Sequence, residues 1–244
     1  MFARPYISVG GLVTAGSDKP FCSGALVGNR LVLTAAHCFC STPAPLEADR
    51  KMRPFDDAAH SIYFDVGRNG VSVQRFKVWS VHLSKKFVFQ KDSFDPWFHR
   101  WDWALLVLAD DTSDWSYFGF GDFANPLTAH VTGYPELKYD AKRAYAPMWD
   151  DVCPLHRDKR APLFLEDIYA LNHRCDTQGG SSGGPVWYED ATNGFTIKAV
   201  HSRRGPVDNI AAPVDSDLHA SIGYFRDLLE TSTSGSAGEV LIDI

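Results

Sequence analysis

Three residues of this chain have side chains that, brought together, could make a serine hydroxyl reactive. They are His37 in Leu33-Thr34-Ala35-Ala36-His37-Cys38, Asp102 heading Asp102-Trp103-Ala104-Leu105-Leu106-Val107-Leu108, and Ser182 in Gly180-Ser181-Ser182-Gly183-Gly184-Pro185. A serine hydroxyl at neutral pH is a poor nucleophile and needs an adjacent base to take its proton. Imidazole, with an unperturbed pKa of about 6.5, suits that task. A buried carboxylate can then hold the ring in one tautomer and stabilise the imidazolium that forms. Asp102 lies between Trp101 and Trp103 and precedes an apolar run, which suits it to a shielded place. The glycines around Ser182 allow a turn sharp enough for the Gly180 and Ser182 amides to point at one developing oxyanion, where a side chain at residue 180 would obstruct. Each residue alone has an ordinary reading: a solvated cap for Asp102, a core histidine for His37, a Ser-Gly linker for residues 180–184. The linker is disfavoured by Pro185-Val186-Trp187 directly after it.

Such residues need rigid elements to hold them, and the chain reads as all-β. Short β-branched or aromatic runs recur between turn signals: Tyr6 to Val13, Phe21 to Val27, Leu31 to Thr34, Ser61 to Val66, Phe76 to Val81 and Ala104 to Leu108. A second β unit follows, at Ala129 to Thr132, Ala144 to Trp149, Gly184 to Tyr188 and Phe195 to His201. Ser41 to His60, with three prolines, and Lys85 to Arg100 read as surface loops flanking the candidate residues. One helix is predicted over Ser216 to Glu230, where Leu218, Ile222, Phe225 and Leu229 recur at helical spacing behind a Ser216 or Asp217 cap.

Composition is that of an ordinary globular protein: 244 residues, 45% hydrophobic and 22% charged. A net charge of −6 gives no footprint for nucleic acid or an anionic membrane, so neither is expected as a partner. No run approaches the roughly 18 apolar residues that a membrane-spanning helix needs. The opening Met1-Phe2-Ala3-Arg4-Pro5 lacks the features of a signal peptide. The five cysteines, Cys22, Cys38, Cys40, Cys153 and Cys175, permit at most two internal bridges. Cys38-x-Cys40 beside His37 superficially invites zinc, but the spacing is not that of a zinc site, and neither metal nor other cofactor is expected.

The three segments, in the order His, Asp, Ser, resemble the histidine, aspartate and nucleophile motifs of chymotrypsin-like serine endopeptidases over about residues 6 to 230. The resemblance implies two packed antiparallel six-stranded β-barrels and a C-terminal helix. It places His37 and Asp102 in an N-terminal barrel (residues 1–115), Ser182 and the S1 pocket in a second (116–230), and a flexible tail at 231–244. It implies a catalytic triad of His37, Asp102 and Ser182, an oxyanion hole from Gly180 and Ser182, and a Cys22–Cys38 bridge beside the histidine. Cys153 and Cys175 are then left to pair, with Cys40 over. Oxidised pairs would place the protein outside the cell. A peptide or protein substrate and a monomer are expected.

The chain departs from trypsin-like enzymes at Ser181, where those carry an aspartate that pairs with a freed N-terminal amine, and only 21 residues precede Cys22. Activation through that ion pair is not expected. The stretch Cys175-Asp176-Thr177-Gln178-Gly179-Gly180-Ser181-Ser182-Gly183, with Gly133-Tyr134-Pro135 and Met148-Trp149, resembles the bacterial glutamyl endopeptidases. In that branch Thr177 and His201 would line the S1 pocket and hold a glutamate side chain, with Ser202, Arg203 and Arg204 on the substrate-binding edge. A hydroxyl and an imidazole make sense as carboxylate donors. Asp176 argues for arginine or lysine instead, since it lies where trypsin-like enzymes keep their selecting acid. Acidic P1 is favoured over basic. Two other readings are a catalytically silent peptide-binding protein on the same fold and a protease-chaperone of the HtrA type, for which a further domain should follow. His60, His82, His99, His130, His156, His173 and His219 are expected to be surface or structural residues.

Overall fold

Six strands of the first half close on themselves. β1 (Val9–Thr14), β2 (Cys22–Gly28), β3 (Leu31–Thr34), β4 (Ile62–Val66), β5 (Gln74–Leu83) and β6 (Ala104–Leu108) form an antiparallel barrel in the order β1-β2-β3-β6-β5-β4. Pairing of β1 with β4, from Gly10↔Val66 to Thr14↔Ile62, completes it. This computed structural model describes residues 5–39, 61–67, 73–87, 99–123, 127–135, 148–157 and 169–232. The sequence pattern decides which strands face solvent. β5 alternates, with Phe76 and Val78 buried and Arg75, Lys77 and Trp79 exposed, so it lies at the surface. β2, β3 and β6 are buried at every position and are therefore covered on both faces.

The second half supplies part of that cover. β7 (Gly119–Phe120), β8 (Leu127–Gly133), β9 (Trp149–Arg157), β10 (Leu171–His173), β11 (Pro185–Asp190), β12 (Gly194–Arg203) and β13 (Asn209–Pro213) form a sheet in which β11-β8-β9-β10-β13-β12 closes through the β11–β12 pairing. β7 lies outside that ring, parallel to β12. The result is two six-stranded barrels, as the resemblance implies. One apolar core runs from the first barrel through Phe118, Tyr134 and Trp187 of the second half to the helix.

Several elements differ from the sequence reading. Tyr6–Ser8 is a 3-10 turn, with the Ser8 amide donating to Pro5 O at 2.9 Å, so β1 begins three residues late. The strand expected at Ala144 to Trp149 begins at Trp149 and runs on to Arg157; residues 144–147 lie outside the described residues. β10 and β13, of three and five residues, carried too little apolar patterning to be predicted. The helix, α1 (Ser216–Ser232), forms as predicted with Leu218, Ile222, Phe225 and Leu229 buried. Its cap is neither Ser216 nor Asp217: the Asp215 carboxylate accepts from the Leu218 amide at 3.0 Å. α1 packs on the first barrel, where Arg226 donates to Val27 O at 2.5 Å and to Phe118 O at 3.2 Å. Burying its four apolar side chains contributes roughly 1.5–3 kcal/mol each. None of the described helices is long and apolar enough to cross a membrane.

Cys22 is bonded to Cys38 and Cys153 to Cys175. Cys40, the Ser41 to His60 loop, most of the Lys85 to Arg100 loop and nearly all of the tail lie outside the described residues. Cys22–Cys38 closes a short loop, of sequence separation 16, at the root of His37. Replacing both cysteines by alanine is expected to lower unfolding free energy by about 3 kcal/mol in a denaturant titration. A non-reduced digest should show both bridges; free thiols at 22 and 38 would contradict this pairing.

Candidate active site

The register of β3 against β6 sets the first part of the site. Thr34 opposes Ala104, so His37, three residues beyond β3, and Asp102, two residues before β6, emerge at the same end of an antiparallel pair. A 3-10 turn over Ala36–Phe39, anchored by the Cys22–Cys38 bridge, carries the histidine. His37 Nδ1 lies 2.7 Å from Asp102 Oδ2, and the His37 amide donates to Asp102 Oδ1 at 2.9 Å. An ionised carboxylate only accepts, so the ring proton sits on Nδ1 and Nε2 is left as the basic nitrogen. Asp102 is 1% exposed, whereas the His37 side chain keeps 25% exposure on its outer side.

The second barrel completes the acid's surroundings. Ser202, on β12, donates its hydroxyl to Asp102 Oδ2 at 2.5 Å, and His99 Nδ1, at 3.1 Å from Ser202 Oγ, donates to it in turn. Burial pushes the Asp102 carboxyl up, but His37, the Ser202 hydroxyl and the nearby His99 outweigh it and bring the pKa down to about 2. The same Ser202 reaches the candidate nucleophile: its carbonyl accepts from Ser182 Oγ at 3.2 Å. Gly183 N donates to His201 O at 2.8 Å and His201 N to Gly184 O at 2.9 Å, which ties the loop of Ser182 to β12.

Ser23, on β2 of the first barrel, holds the other side of that loop. Its amide donates to Ser182 O at 2.7 Å, and its hydroxyl donates to Gly180 O at 2.8 Å while accepting from Tyr134 N at 2.8 Å. Thr34 Oγ1 donates to Ser23 O at 2.7 Å. Gly180 and Gly183 have φ of +90° and +84°, backbone that suits glycine. A Cβ on Gly183 would stand 2.2 Å from both Ser23 O and Thr34 Oγ1. Ser181 is buried, and its hydroxyl accepts from Gln178 N at 3.3 Å.

The residues expected around an S1 pocket divide into two groups. Thr177 and His201 are buried, at 5% and 2% exposure, and Thr177 Oγ1 has no hydrogen-bond partner among the described residues. Asp176 is exposed, and its amide donates to Asp151 Oδ2 at 2.7 Å, so its carboxylate lies at the surface rather than on a buried floor. Arg203 is half-buried and Arg204 exposed. His173, read from sequence as a bland histidine, is fully buried with Nε2 3.0 Å from His201 Nδ1. His99 is likewise buried. Ser23, His99 and His173 were missed as site residues. The available signal was polarity in apolar surroundings, since buried polar groups must find partners.

Two trios, Cys22-His37-Cys38 and Cys153-His173-Cys175, bring metal-type donors within 4.8 Å of one another. In each, the two sulfurs are bonded to each other and are not thiolate ligands. Burial lowers the pKa of both inner histidines: His173 to about 4, with His156 adding to the effect, and His201 well below the usual histidine range, with His173 and His37 adding to it. Both are thus neutral when folded and gain a proton on unfolding below about pH 6.5. Stability should therefore fall with acidification from pH 6.5 towards 4, by about 1 kcal/mol per pH unit for each histidine. Thermal melts between pH 7 and 5 check this; an unchanged Tm would contradict it.

A trypsin-like peptidase domain model matches residues 22–193. An extracellular metalloprotease of Bacillus subtilis (strain 168) is 25% identical over 211 residues, covering 84% of this chain and 58% of that protein. A glutamyl endopeptidase of Bacillus licheniformis is 24% identical over 208 residues, covering 82% and 56%. The chain thus spans a little over half the length of these two relatives. Among solved structures, a Glu endopeptidase superposes with a TM-score of 0.68 at 18% identity, over 92% of this chain and 93% of that one. The protease Anisep from Arthrobacter nicotinovorans gives 0.62 at 17% identity, over 92% and 98%. With two barrels of this topology and a family model that spans most of the chain, the protein belongs to the trypsin-like peptidase family.

Proposed function

We propose that the chain is a serine endopeptidase in which Ser182 attacks the scissile carbonyl, His37 is the general base and Asp102 orients it. The observation that carries this is the Asp102–His37 pair, buried on the acid's side and open on the base's side, with Ser182 bonded to the residue that also holds the acid. The Ser182 hydroxyl rests on Ser202 O, so it must rotate to give its proton to His37 Nε2. Catalytic hydrogen bonds often tighten only when substrate binds. Attack forms an oxyanion that the Gly180 and Ser182 amides would receive; His37 then gives its proton to the leaving amine, and water releases the acyl group from Ser182. An extended peptide would lie along Ser202 to Arg204 as an added strand. Residues 1–115 and 116–230 are read as the two halves that bring base and nucleophile together.

Acidic P1 is the specificity we favour. Thr177, five residues before Ser182, offers a buried hydroxyl without a partner among the described residues, which suits a carboxylate ligand, while the exposed Asp176 does not form an acid floor for arginine. Two disulfides support action outside the cell. The metal that the B. subtilis relative's name implies does not fit the donors described here, since both cysteine–histidine trios contain a disulfide.

Ser182→Ala should lower peptide hydrolysis by about 10³-fold or more while leaving the circular dichroism and melting curve unchanged. Undiminished turnover by the pure variant would remove Ser182 from the mechanism, and an inert wild type that still binds peptides would favour the silent-binder reading.

Cleavage of a mixed peptide library, read by mass spectrometry, should show cuts after glutamate. His201→Ala should depress those about 30-fold or more, because a carboxylate left short of a buried donor loses roughly 2–4 kcal/mol, and cuts after small neutral residues should fall much less. Cuts after arginine and lysine that vanish in Asp176→Asn but survive in His201→Ala would replace the acidic pocket with a basic-P1 one.

A further inference from the structure

His201 does not stand alone. His173 on β10 and His201 on β12 flank β13, where His173 pairs with Asn209 and His201 with Ala211. Their rings meet edge-on, with centroids 5.1 Å apart at 67°, and a single hydrogen bond joins His173 Nε2 to His201 Nδ1 at 3.0 Å. Both rings are buried, and desolvation disfavours their charged forms, so each carries one proton.

Only two arrangements of those protons make the bond. In one, His173 donates from Nε2, His201 accepts at Nδ1, and the His201 proton sits on Nε2. In the other, His201 donates from Nδ1, and the His173 proton must move to its own Nδ1. That nitrogen is buried and has no partner among the described residues. The second arrangement therefore buries an orphan N–H at His173 Nδ1, whereas the first leaves only a lone pair there and puts the His201 N–H on Nε2, which is not among the buried atoms without a partner. Orphaned buried N–H groups are the rarer and costlier defect.

We infer that His173 is a positioning residue that fixes the proton of His201 on Nε2, turning a neutral imidazole into a hydrogen-bond donor for the P1 carboxylate. This rests on the acidic-P1 reading for its purpose, though not for its geometry. With Thr177 Oγ1 as a second neutral donor, the P1 carboxylate would be recognised without a buried cation. A neutral His201 also places no second positive charge beside the one that His37 acquires in the reaction, since His37 is close enough to disfavour protonation of His201.

The tautomer is read directly by long-range ¹H–¹⁵N NMR of the full chain carrying Ser182→Ala, with the His201 pattern identified as the one lost on adding His201→Ala. A proton on His201 Nε2 supports the assignment; a proton on Nδ1 overturns it, whatever the enzyme cuts. The kinetic arm compares kcat/KM for peptides with glutamate or alanine at P1. His173→Gln places an amide NH₂ where the imidazole Nε2–H stood and should keep the Glu-to-Ala ratio within about threefold, while His173→Phe should lower it about tenfold. An unchanged ratio in a folded His173→Phe overturns the positioning role. A wild type with no glutamate preference overturns the acidic-P1 reading, and the tautomer then stands or falls by the NMR result.

Discussion

The Asp102 carboxylate is the point on which the rest of the site depends. An ionised group at 1% exposure is tolerable only if its oxygens are filled with donors, because desolvating a bare carboxylate costs several kcal/mol. Two of the three donors come from the turn after β3, the His37 amide and Nδ1, and the third is Ser202 from the other barrel. The first barrel alone would leave the acid short. Its burial therefore specifies how the barrels meet, and the meeting puts a basic histidine nitrogen and a serine on either side of one seam. The depressed pKa of Asp102 is the electrostatic expression of that filling.

A second band of hydrogen bonds runs along the same seam and reaches the nucleophile loop from the opposite side. Ser23 uses its amide on Ser182 O and its hydroxyl on Gly180 O, so one residue of the first barrel holds both of the residues whose amides would receive the oxyanion. Thr34 closes against Ser23, and the space this leaves at Gly183 is too small for any Cβ. The loop is thus fixed between Ser23 on one side and His201 and Ser202 on the other. The backbone of Ser182 is held in place ahead of any substrate, and only its hydroxyl, resting on Ser202 O, has to turn on the proposed path.

Much of this was legible in the sequence, for physical reasons. The strands of the first barrel announced themselves through unbroken apolar runs such as Leu31 to Thr34 and Ala104 to Leu108, and α1 through its spacing of Leu218, Ile222, Phe225 and Leu229. β9, β10 and β13 were hidden or displaced because each is stabilised by neighbours rather than by its own pattern; in β9 only Cys153 and Leu155 are buried. His37, Asp102 and Ser182 stood out by local motif. Ser23, His99 and His173 did not, since their significance lies in partners 157, 103 and 28 residues away. A hydroxyl inside β2, where every other side chain is apolar or absent, was the one readable hint.

The contrast between the two polar clusters carries the functional argument furthest. At the Asp102 carboxylate the hydrogen-bond demand is met from within the protein, and the group is held ionised. Elsewhere near the Ser182 loop it is not: Thr177 Oγ1, and Nδ1 of the His173 that bonds His201, are buried without partners among the described residues. A fold that merely needed stability would fill such atoms or replace them with apolar ones, because each unfilled buried group costs about 1–3 kcal/mol. A group left short next to a nucleophile loop is, by contrast, free energy recovered when a ligand supplies the missing oxygen. Carboxylate oxygens would accept from the Thr177 hydroxyl and a His201 Nε2–H, both neutral donors, without a second positive charge competing with His37. On the acidic-P1 reading the asymmetry separates two tasks along one strand: Ser202 holds a charge the protein owns, and His201, one residue earlier on β12, would receive a charge the substrate brings.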